Sequence, residues 1–276
     1  MKELTKKILF GLAIAASLQT VQAAYPEQAI KLVVPFPAGG IVDNVFRAMS
    51  PSLQAGLGQP LVVDIKPGAG GSIGAGFAAR AKPDGYTLLM IHVSHATNTV
   101  MYKSLPYHAV DDFEPIGRAT SGPMLIATRN DFPAKNLQEF VDHLKANGPK
   151  VSLAHAGVGS ASHLCGLMMM NALNVKLNEI PYKGTGPALT DLMGGQVDVL
   201  CDQTSGTVPP VKTGKIKAVA AAGKTRLPQL PDVQAISEAG VEGFEINISF
   251  GLYAPKGTPK PVMEKLTAAL QKSVSD

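Results

Sequence analysis

The chain of 276 residues has no tryptophan, only two cysteines, and few aromatic residues, which make up 5% of the sequence. After residues 1–23 it has no apolar run long enough to span a bilayer. The net charge is only +4, and the basic residues are scattered rather than clustered. These absences argue against nucleic-acid binding and against a membrane-embedded body, so we expect the mature protein to be soluble.

The first residues have the pattern of a secretory signal peptide. A basic start, MKELTKK, precedes the mostly apolar run Ile8–Val21, and Val21-Gln22-Ala23 fits the small-residue cleavage site. A membrane anchor is the alternative, but the run is shorter than the roughly 20 residues that a span needs. We predict a cleaved signal peptide over residues 1–23 and a periplasmic location. Its removal takes away three lysines and one glutamate, leaving 22 basic and 20 acidic residues.

The two cysteines, Cys165 and Cys201, would enter an oxidising compartment, where one disulfide is possible. Both lie in apolar segments, SHLCGLMMM and VDVLCDQ, in which cysteine often acts as a small buried hydrophobe. The pattern therefore favours two separate buried cysteines and leaves pairing open. Neither has the spacing of a metal site, and we expect no metal and no cofactor.

Short apolar runs alternate with amphipathic runs along most of the chain, which predicts an α/β protein with mostly parallel sheets. The strand-like runs are KLVVPF, PLVVDI, YTLLMI, MLIATR, VSLAHA, LNEIPY, VDVLCD, IKAVAAA and FEINISFGLYAP. The helix-like runs include VDNVFRAMSPSLQAGL, SIGAGFAARAK, NLQEFVDHLKANG, SASHLCGLMMMNALN and GPALTDLMGG. Strands without polar alternation fit sheets that are covered on both faces.

Several junctions share one form, in which a strand ends, a turn rich in glycine or serine follows, and a helix begins. They are PFPAGG, KPGAGGSIG, HAGVGSASH and YKGTGPA. Open α/β sheets bind ligands beyond the carboxyl ends of their strands, and helix N-termini attract anions. Such a junction can also be a plain connection with nothing bound. Several of them in one exported chain indicate a two-lobed binding protein with a cleft between the lobes.

The longer motifs carry a family resemblance. VVPFPAGGIVDNVFR, LGQPLVVDIKPGAGGSIGAGFAARAKPDGYTLLM, AGVGSASHL, PYKGTGPALTDLMGGQVDVLCDQ and SFGLYAPKGTP occur in order over nearly the whole mature chain. They resemble the Bug-type periplasmic solute receptors of the tripartite tricarboxylate transporter family. One departure is Ser249-Phe250 before GLYAP, where the family usually has a tryptophan.

The resemblance implies a periplasmic binding protein fold of type II, in which two α/β lobes close on a small carboxylate. We expect one lobe over residues 24–123 plus 249–276 and the other over 124–248, with crossings near Pro123 and Ile248. The implied function is a non-enzymatic receptor that delivers a small organic acid to the membrane permease subunits of a tripartite transporter. We expect a monomer without nucleic-acid partners.

PFPAGG and GVGSAS both present backbone N–H groups at predicted helix starts, so we expect them to bind the anion. The predicted ligand-binding residues from these segments are Phe36, Pro37, Ala38, Gly39, Gly40, Asp43, Gly159, Ser160 and Ala161. Asp43 fits a helix cap as well as a ligand contact through water, and Ser160 can either cap its helix or donate to the ligand. The resemblance adds Ser94, Asn98 and Asp202.

Asp202 would repel a purely anionic ligand. It suits a ligand amine or hydroxyl, a water, or its own backbone N–H groups, and the sequence leaves that choice open.

Other chemistries have weaker support. PGAGGSIGAG follows a strand, but its third glycine is displaced and the expected acid about 20 residues on is missing, so close helix–sheet packing is favoured over dinucleotide binding. Ser160, His163 and Asp202 could form a hydrolase triad, yet the chain has no nucleophile elbow. His92 and His95 lack a third metal ligand. A periplasmic sensor that signals instead of transporting is the main rival function, followed by an exported α/β hydrolase.

Overall fold

The structure, a computed structural model, describes residues 25–241 and 243–275, and the predicted signal peptide lies outside them. Nine strands alternate with eight α-helices in this part of the chain. The strands are β1 (Ile30–Val34), β2 (Leu61–Ile65), β3 (Thr87–His92), β4 (Phe113–Thr128), β5 (Ser152–His155), β6 (Asn178–Pro181), β7 (Val199–Gln203), β8 (Lys217–Ala221) and β9 (Asn247–Pro255). The helices are α1 (Ile41–Leu57), α2 (Ser72–Ala79), α3 (Ser94–Met101), α4 (Leu137–Asn147), α5 (Ala161–Leu173), α6 (Thr185–Met193), α7 (Thr204–Lys212) and α8 (Lys260–Ser275). None of these helices is long and apolar enough to cross a membrane.

The predicted strands and helices all form, because each rests on a local apolar pattern. Helix α1 is an example: Val42, Phe46, Leu53 and Leu57 recur at helical spacing, and all are buried. The helix ends where Gly58 adopts the left-handed conformation, with φ 74°, which glycine permits at low cost.

Other elements differ from the predictions. Helices α3 and α7 were not predicted, since SHATNTVM is mostly polar and α7 contains Pro209 and Pro210. Strand β4 begins at Phe113, well before the predicted MLIATR run. Proline and glycine interrupt its first half, where pairing with β9 maintains the extended chain.

The strands follow the order β2-β1-β3-β9-β4-β7-β5-β6, and β8 also pairs with β4. Strands β1, β2 and β3 run parallel, as do β5, β6 and β7, whereas β4 and β9 pair antiparallel with their neighbours. Up to Pro123, β4 pairs with β9, and from Met124 it pairs with β7 and β8. The prediction of mostly parallel sheets therefore holds for the two outer groups of strands but not for the centre.

Cys165 and Cys201 form a disulfide, contrary to the expectation of two separate cysteines. Cys165 lies in α5 and Cys201 in β7, both side chains are buried, and their Cα atoms are 6.0 Å apart. Helix α5 packs on β7, and this contact brings the two residues together across 36 positions of sequence. Such a long-range contact leaves no signal in the local apolar pattern.

The first turn of α2 packs closely against the residues that follow β1 and β2. A Cβ atom on Gly74 would lie 2.7 Å from Cβ of Pro35 and 2.8 Å from the carbonyl oxygen of Lys66. Only glycine fits this approach, which agrees with the packing interpretation of PGAGGSIGAG.

Candidate functional site

A cleft lies at the carboxyl ends of β1, β3, β5, β6 and β7, where α/β folds bind ligands. It has about 440 Å³ of free volume, its open mouth included. The predicted site residues that line it are Phe36, Pro37, Ala38, Gly40, Ser160, Ala161 and Asp202. The sequence did not predict the others, which are Ile41, His92, Ala156, Ser162, Thr185, Gly186 and Pro187.

Three helix N-termini contribute to the walls of this cleft. Helix α1 brings Gly40 and Ile41, α5 brings Ser160 and Ala161, and α6 brings Gly186 with its neighbours. The first N–H groups of a helix lack partners within the helix, and the helix dipole places partial positive charge there. The arrangement can therefore hold an anion through backbone groups.

Two of these N-termini match the predicted PFPAGG and GVGSAS segments. The third, at α6, comes from YKGTGPA. That segment has the same strand–turn–helix form as the other two, so the signal was present in the sequence. Only the fold shows that it faces the same cleft.

The charged side chains around the cleft are unusual for an anion site. Among the described residues that line it, none is a lysine or an arginine, and Asp202 is the one acid. Oδ2 of Asp202 accepts a hydrogen bond from Thr185 Oγ1 at 2.6 Å, and Oδ1 accepts one from the backbone N–H of Gln203 at 2.7 Å. Burial raises the pKa of Asp202 to about 6. The sequence left the partner of Asp202 open. The structure shows that the carboxylate bonds a backbone N–H, one of the partners considered, and also the hydroxyl of Thr185.

The loop from Phe36 to Gly40 is held in place by Asp43. Oδ2 of Asp43 accepts hydrogen bonds from Gly39 N at 2.8 Å and from Arg47 Nε at 3.0 Å, and the Asp43 side chain is 1% exposed. Gly39 lies beside the cleft and has φ 73°. Neither Gly39 nor Asp43 lines the cleft wall. Asp43 bonds the residue before the N-cap, Gly40, and the N-cap itself has no side-chain hydrogen bond, so the role of Asp43 toward a ligand stays a prediction.

Ser160 and Ser162 organise the start of α5. Ser160 is the N-cap, and its Oγ accepts a hydrogen bond from His163 N at 3.2 Å. Ser162 Oγ accepts one from Ala156 N at 2.7 Å and lies 3.2 Å from Ser160 Oγ. Both hydroxyls are buried, and together they connect the end of β5 to the helix.

His92 lines the cleft, although the sequence analysis did not include it among the ligand-binding residues. Its ring is stacked on Phe36, with centroids 4.6 Å apart, and burial lowers its pKa to about 3. The backbone N–H of Ser94 donates to Nδ1 at 3.2 Å, which assigns the ring proton to Nε2. His92 is thus a neutral ring with one N–H to donate. His95 instead contacts the carbonyl oxygen of Ala109 at 2.8 Å, so the two histidines do not converge on a metal ion.

Ser94, Asn98 and Gly159 were also predicted as ligand-binding residues, but they do not line the cleft. Ser94 supports His92 through its backbone, and Asn98 Nδ2 donates to the carbonyl oxygen of Gly70 at 3.1 Å. The carbonyl oxygen of Gly159 accepts a hydrogen bond from Thr97 Oγ1 at 2.7 Å. These residues connect the loops behind the cleft wall.

The conceivable hydrolase triad does not assemble from these described residues. Gly159 N donates to His163 Nδ1 at 3.2 Å, and His163 Nε2 lies 3.1 Å from Glu179 Oε1. Both ring nitrogens of His163 are therefore engaged away from Asp202. Ser160 Oγ contacts the backbone N–H of His163 and the hydroxyl of Ser162, neither of which can act as its base.

The fold and the cleft define a solute-binding protein of the periplasmic type. The profile of the family described as "Tripartite tricarboxylate transporter family receptor" matches residues 45–276. The chain belongs to this family, as its motifs indicated.

Solved structures agree with this assignment. The periplasmic binding protein BugD is 49% identical, with a TM-score of 0.88 over 91% of this chain and 84% of its own. MatC from Rhodopseudomonas palustris with bound malate is 39% identical, with a TM-score of 0.86 over 90% of this chain and 85% of its own. A second R. palustris protein, solved with adipate, is 30% identical, with a TM-score of 0.85 over 89% and 83%.

Proposed function

We propose that the protein is a periplasmic receptor that captures a small organic acid in this cleft and delivers it to a membrane permease. The observation that carries the proposal is the meeting of three helix N-termini in one cleft. Malate and adipate in the cited relatives support an acid as the ligand. The predicted signal peptide supports the periplasmic location.

The cleft would bind the acid mainly through neutral groups. Backbone N–H groups at the starts of α1, α5 and α6 would donate hydrogen bonds to the carboxylates, and His92 Nε2–H is a further donor beside Phe36. Because these donors are already oriented by the fold, they can replace water around the anion with little rearrangement. Asp202 keeps its carboxylate bonded to Thr185 and Gln203.

Closure around the ligand is part of the proposal. We place the two lobes at residues 24–123 plus 249–276 and at 124–248. Thr97 and Tyr102 of the first segment donate hydrogen bonds to the carbonyl oxygens of Gly159 and Val158 in the second, at 2.7 and 3.0 Å. These bonds would hold the lobes together in the closed, ligand-bound state.

A receptor with the same cleft could instead report its ligand to a signalling partner. A neighbouring permease gene and copurification with that permease would favour transport. Turnover of esters would favour the exported hydrolase, although the contacts of His163 and Asp202 oppose it.

The test is a thermal-shift and calorimetry screen of the purified protein against mono-, di- and tricarboxylates and aromatic acids. A ligand at 100 times its dissociation constant adds about 2.7 kcal/mol to the free energy of unfolding. We expect at least one small acid to stabilise the protein without being consumed. A flat response across the whole panel would overturn the proposal.

A variant can show whether that acid binds in this cleft. Gly186 lines the cleft, and a Cβ atom there would meet no atom within 4 Å. Gly186→Leu should therefore keep the fold and fill the ligand space, so that binding is lost. The control is Gly223→Leu, outside the cleft lining, where a Cβ atom makes only an ordinary contact at 3.9 Å with Cγ of Glu245. Equal affinities in the two variants would place the ligand elsewhere.

A further inference from the structure

A second cluster of chemically active side chains lies next to the cleft but does not line it. One ring nitrogen each of His155 and His163 and one carboxylate oxygen of Glu179 lie within 4.8 Å of one another. We propose that these three residues form a binding site for a divalent transition-metal ion of the Zn²⁺ class. This site is independent of the proposed function.

The backbone places the three residues firmly. His155 is the last residue of β5, and Glu179 lies in β6, the parallel neighbour of β5. His163 is in the first turn of α5, and its ring centroid is 4.5 Å from that of His155. Two ligands thus come from adjacent strands and the third from the helix that follows β5.

The donor set suits such an ion. Two imidazoles and one carboxylate with a solvent position form a common ligand set for zinc. Ligands at zinc distances in a tetrahedral shell are separated by about 3.3 Å, and His163 Nε2 and Glu179 Oε1 are 3.1 Å apart. The Glu179 side chain is 36% exposed, so it can adjust toward the ion and leave room for water.

A buried nitrogen in this cluster also lacks a partner. His155 is 2% exposed, and its Nδ1 has no hydrogen-bond partner in the described part of the chain. Buried polar atoms in folded proteins are almost always satisfied. A metal ion bound by the cluster would give this nitrogen a partner, either the ion itself or a water molecule bound to the ion.

Metal binding would also affect the loop at the cleft. In the structure Gly159 N donates to His163 Nδ1, so the ring proton is on Nε2, facing Glu179. A metal on Nε2 requires the proton to move to Nδ1, and the N–H of Gly159 must then turn away. The carbonyl oxygen of Gly159 also receives the hydrogen bond from Thr97, so the ion would change the loop that precedes α5.

The test is calorimetric titration of the tag-free protein with zinc chloride at pH 7.5, in a buffer without phosphate or carboxylates and with no organic acid added. We expect saturation at one ion per chain and an increase in the melting temperature that a chelator reverses. Magnesium, which prefers oxygen ligands, should give neither effect.

Variants assign the ion to the cluster. Glu179→Gln changes a half-exposed side chain and should weaken zinc binding by at least about tenfold, the lower range for residues that merely support a metal ligand. His155→Asn should do the same. The control is His108→Asn, because His108 is an exposed histidine that contacts Asp111 at 3.0 Å.

Absence of saturable zinc binding by the folded protein would overturn the proposal and show that His163 and Glu179 form a hydrogen bond only. Zinc binding that survives Glu179→Gln but is lost in His108→Asn would overturn it as well. Because no acid is present, neither result depends on the receptor function, and a failed carboxylate screen would leave the metal proposal untouched.

Discussion

The carboxylate of Asp43 accepts a hydrogen bond from the backbone N–H of Gly39 at 2.8 Å and so closes the loop that forms one wall of the cleft. The same oxygen also accepts from Arg47, one turn further along α1. Asp43 lies in the first turn of α1 and thus stabilises the loop that immediately precedes this helix. Its negative charge lies near the cleft, although the side chain does not line it.

We expect Asp43→Ala to lower the free energy of unfolding by about 1–3 kcal/mol, the usual cost of leaving a buried hydrogen-bonding group unsatisfied. Ligand affinity should fall with it, because the loop from Phe36 to Gly40 loses its anchor. Asp43→Asn is the matched control, since its amide oxygen can still accept from Gly39. Urea denaturation and calorimetry measure the two effects. If Asn weakens binding as much as Ala while the protein stays folded, the negative charge itself serves the ligand.

The two glycines of the loop should respond differently to substitution. Gly40 has ordinary backbone angles, but a Cβ atom there would lie 2.9 Å from the carbonyl oxygen of Pro37, so Gly40→Ala must shift the loop. We expect weaker ligand binding with a nearly unchanged circular dichroism spectrum.

At Gly39 the backbone conformation, and not the available space, restricts which side chains can be introduced. A Cβ atom meets nothing within 4 Å, but φ is 73°. Asparagine tolerates this region and β-branched residues do not, so Gly39→Asn should bind more strongly than Gly39→Val. Equal affinity of both variants and the unaltered protein would mean that this loop is only a turn.

The ionisation of Asp202 should make the protein less stable as the pH rises. Burial raises its pKa from the ordinary value of 3.8 to about 6 in the folded protein, so the folded state holds this proton more tightly. Stability is highest while the group is protonated and falls between about pH 4 and 6, by roughly 3 kcal/mol for a shift of this size.

Asp202→Asn, which resembles the neutral acid in shape, should remove this slope. Its free energy of unfolding should exceed that of the unaltered protein increasingly from about pH 4 to 6. Affinity for an anionic ligand should also fall less with rising pH in the variant. Comparing both proteins with the same acid at each pH cancels the titration of the ligand. A lower affinity of the variant at pH 7.5 would indicate that Asp202 binds a positive or donor group of the ligand.

Removing the disulfide should destabilise the protein without altering the cleft. The bond closes a loop over 36 positions, for which chain entropy predicts a loss of roughly 4 kcal/mol. We expect the double variant Cys165→Ala, Cys201→Ala to unfold at lower urea concentration and to become insensitive to reductant. Peptide mapping without reduction tests the bond directly. Two thiols that are alkylated after denaturation without reductant would contradict it.

Local patterns in the sequence predicted the strands, the main helices and the glycine-containing junctions, because each depends on residues close together in the chain. VVPFPAGG and AGVGSAS are examples. Each of them consists of an apolar strand, a turn rich in glycine or serine, and the start of a helix. These local signals specify the backbone there without help from distant residues. The family could also be recognised at this level, since its motifs are contiguous.

The tertiary structure decided which of these segments meet. Strand order brings the start of α6 and the ring of His92 to the cleft that PFPAGG opens, and it moves Ser94, Asn98 and Gly159 behind the wall. Packing of α5 on β7 pairs Cys165 with Cys201. Such contacts depend on which distant strands and helices pack together, and that choice leaves no periodic signal in the chain.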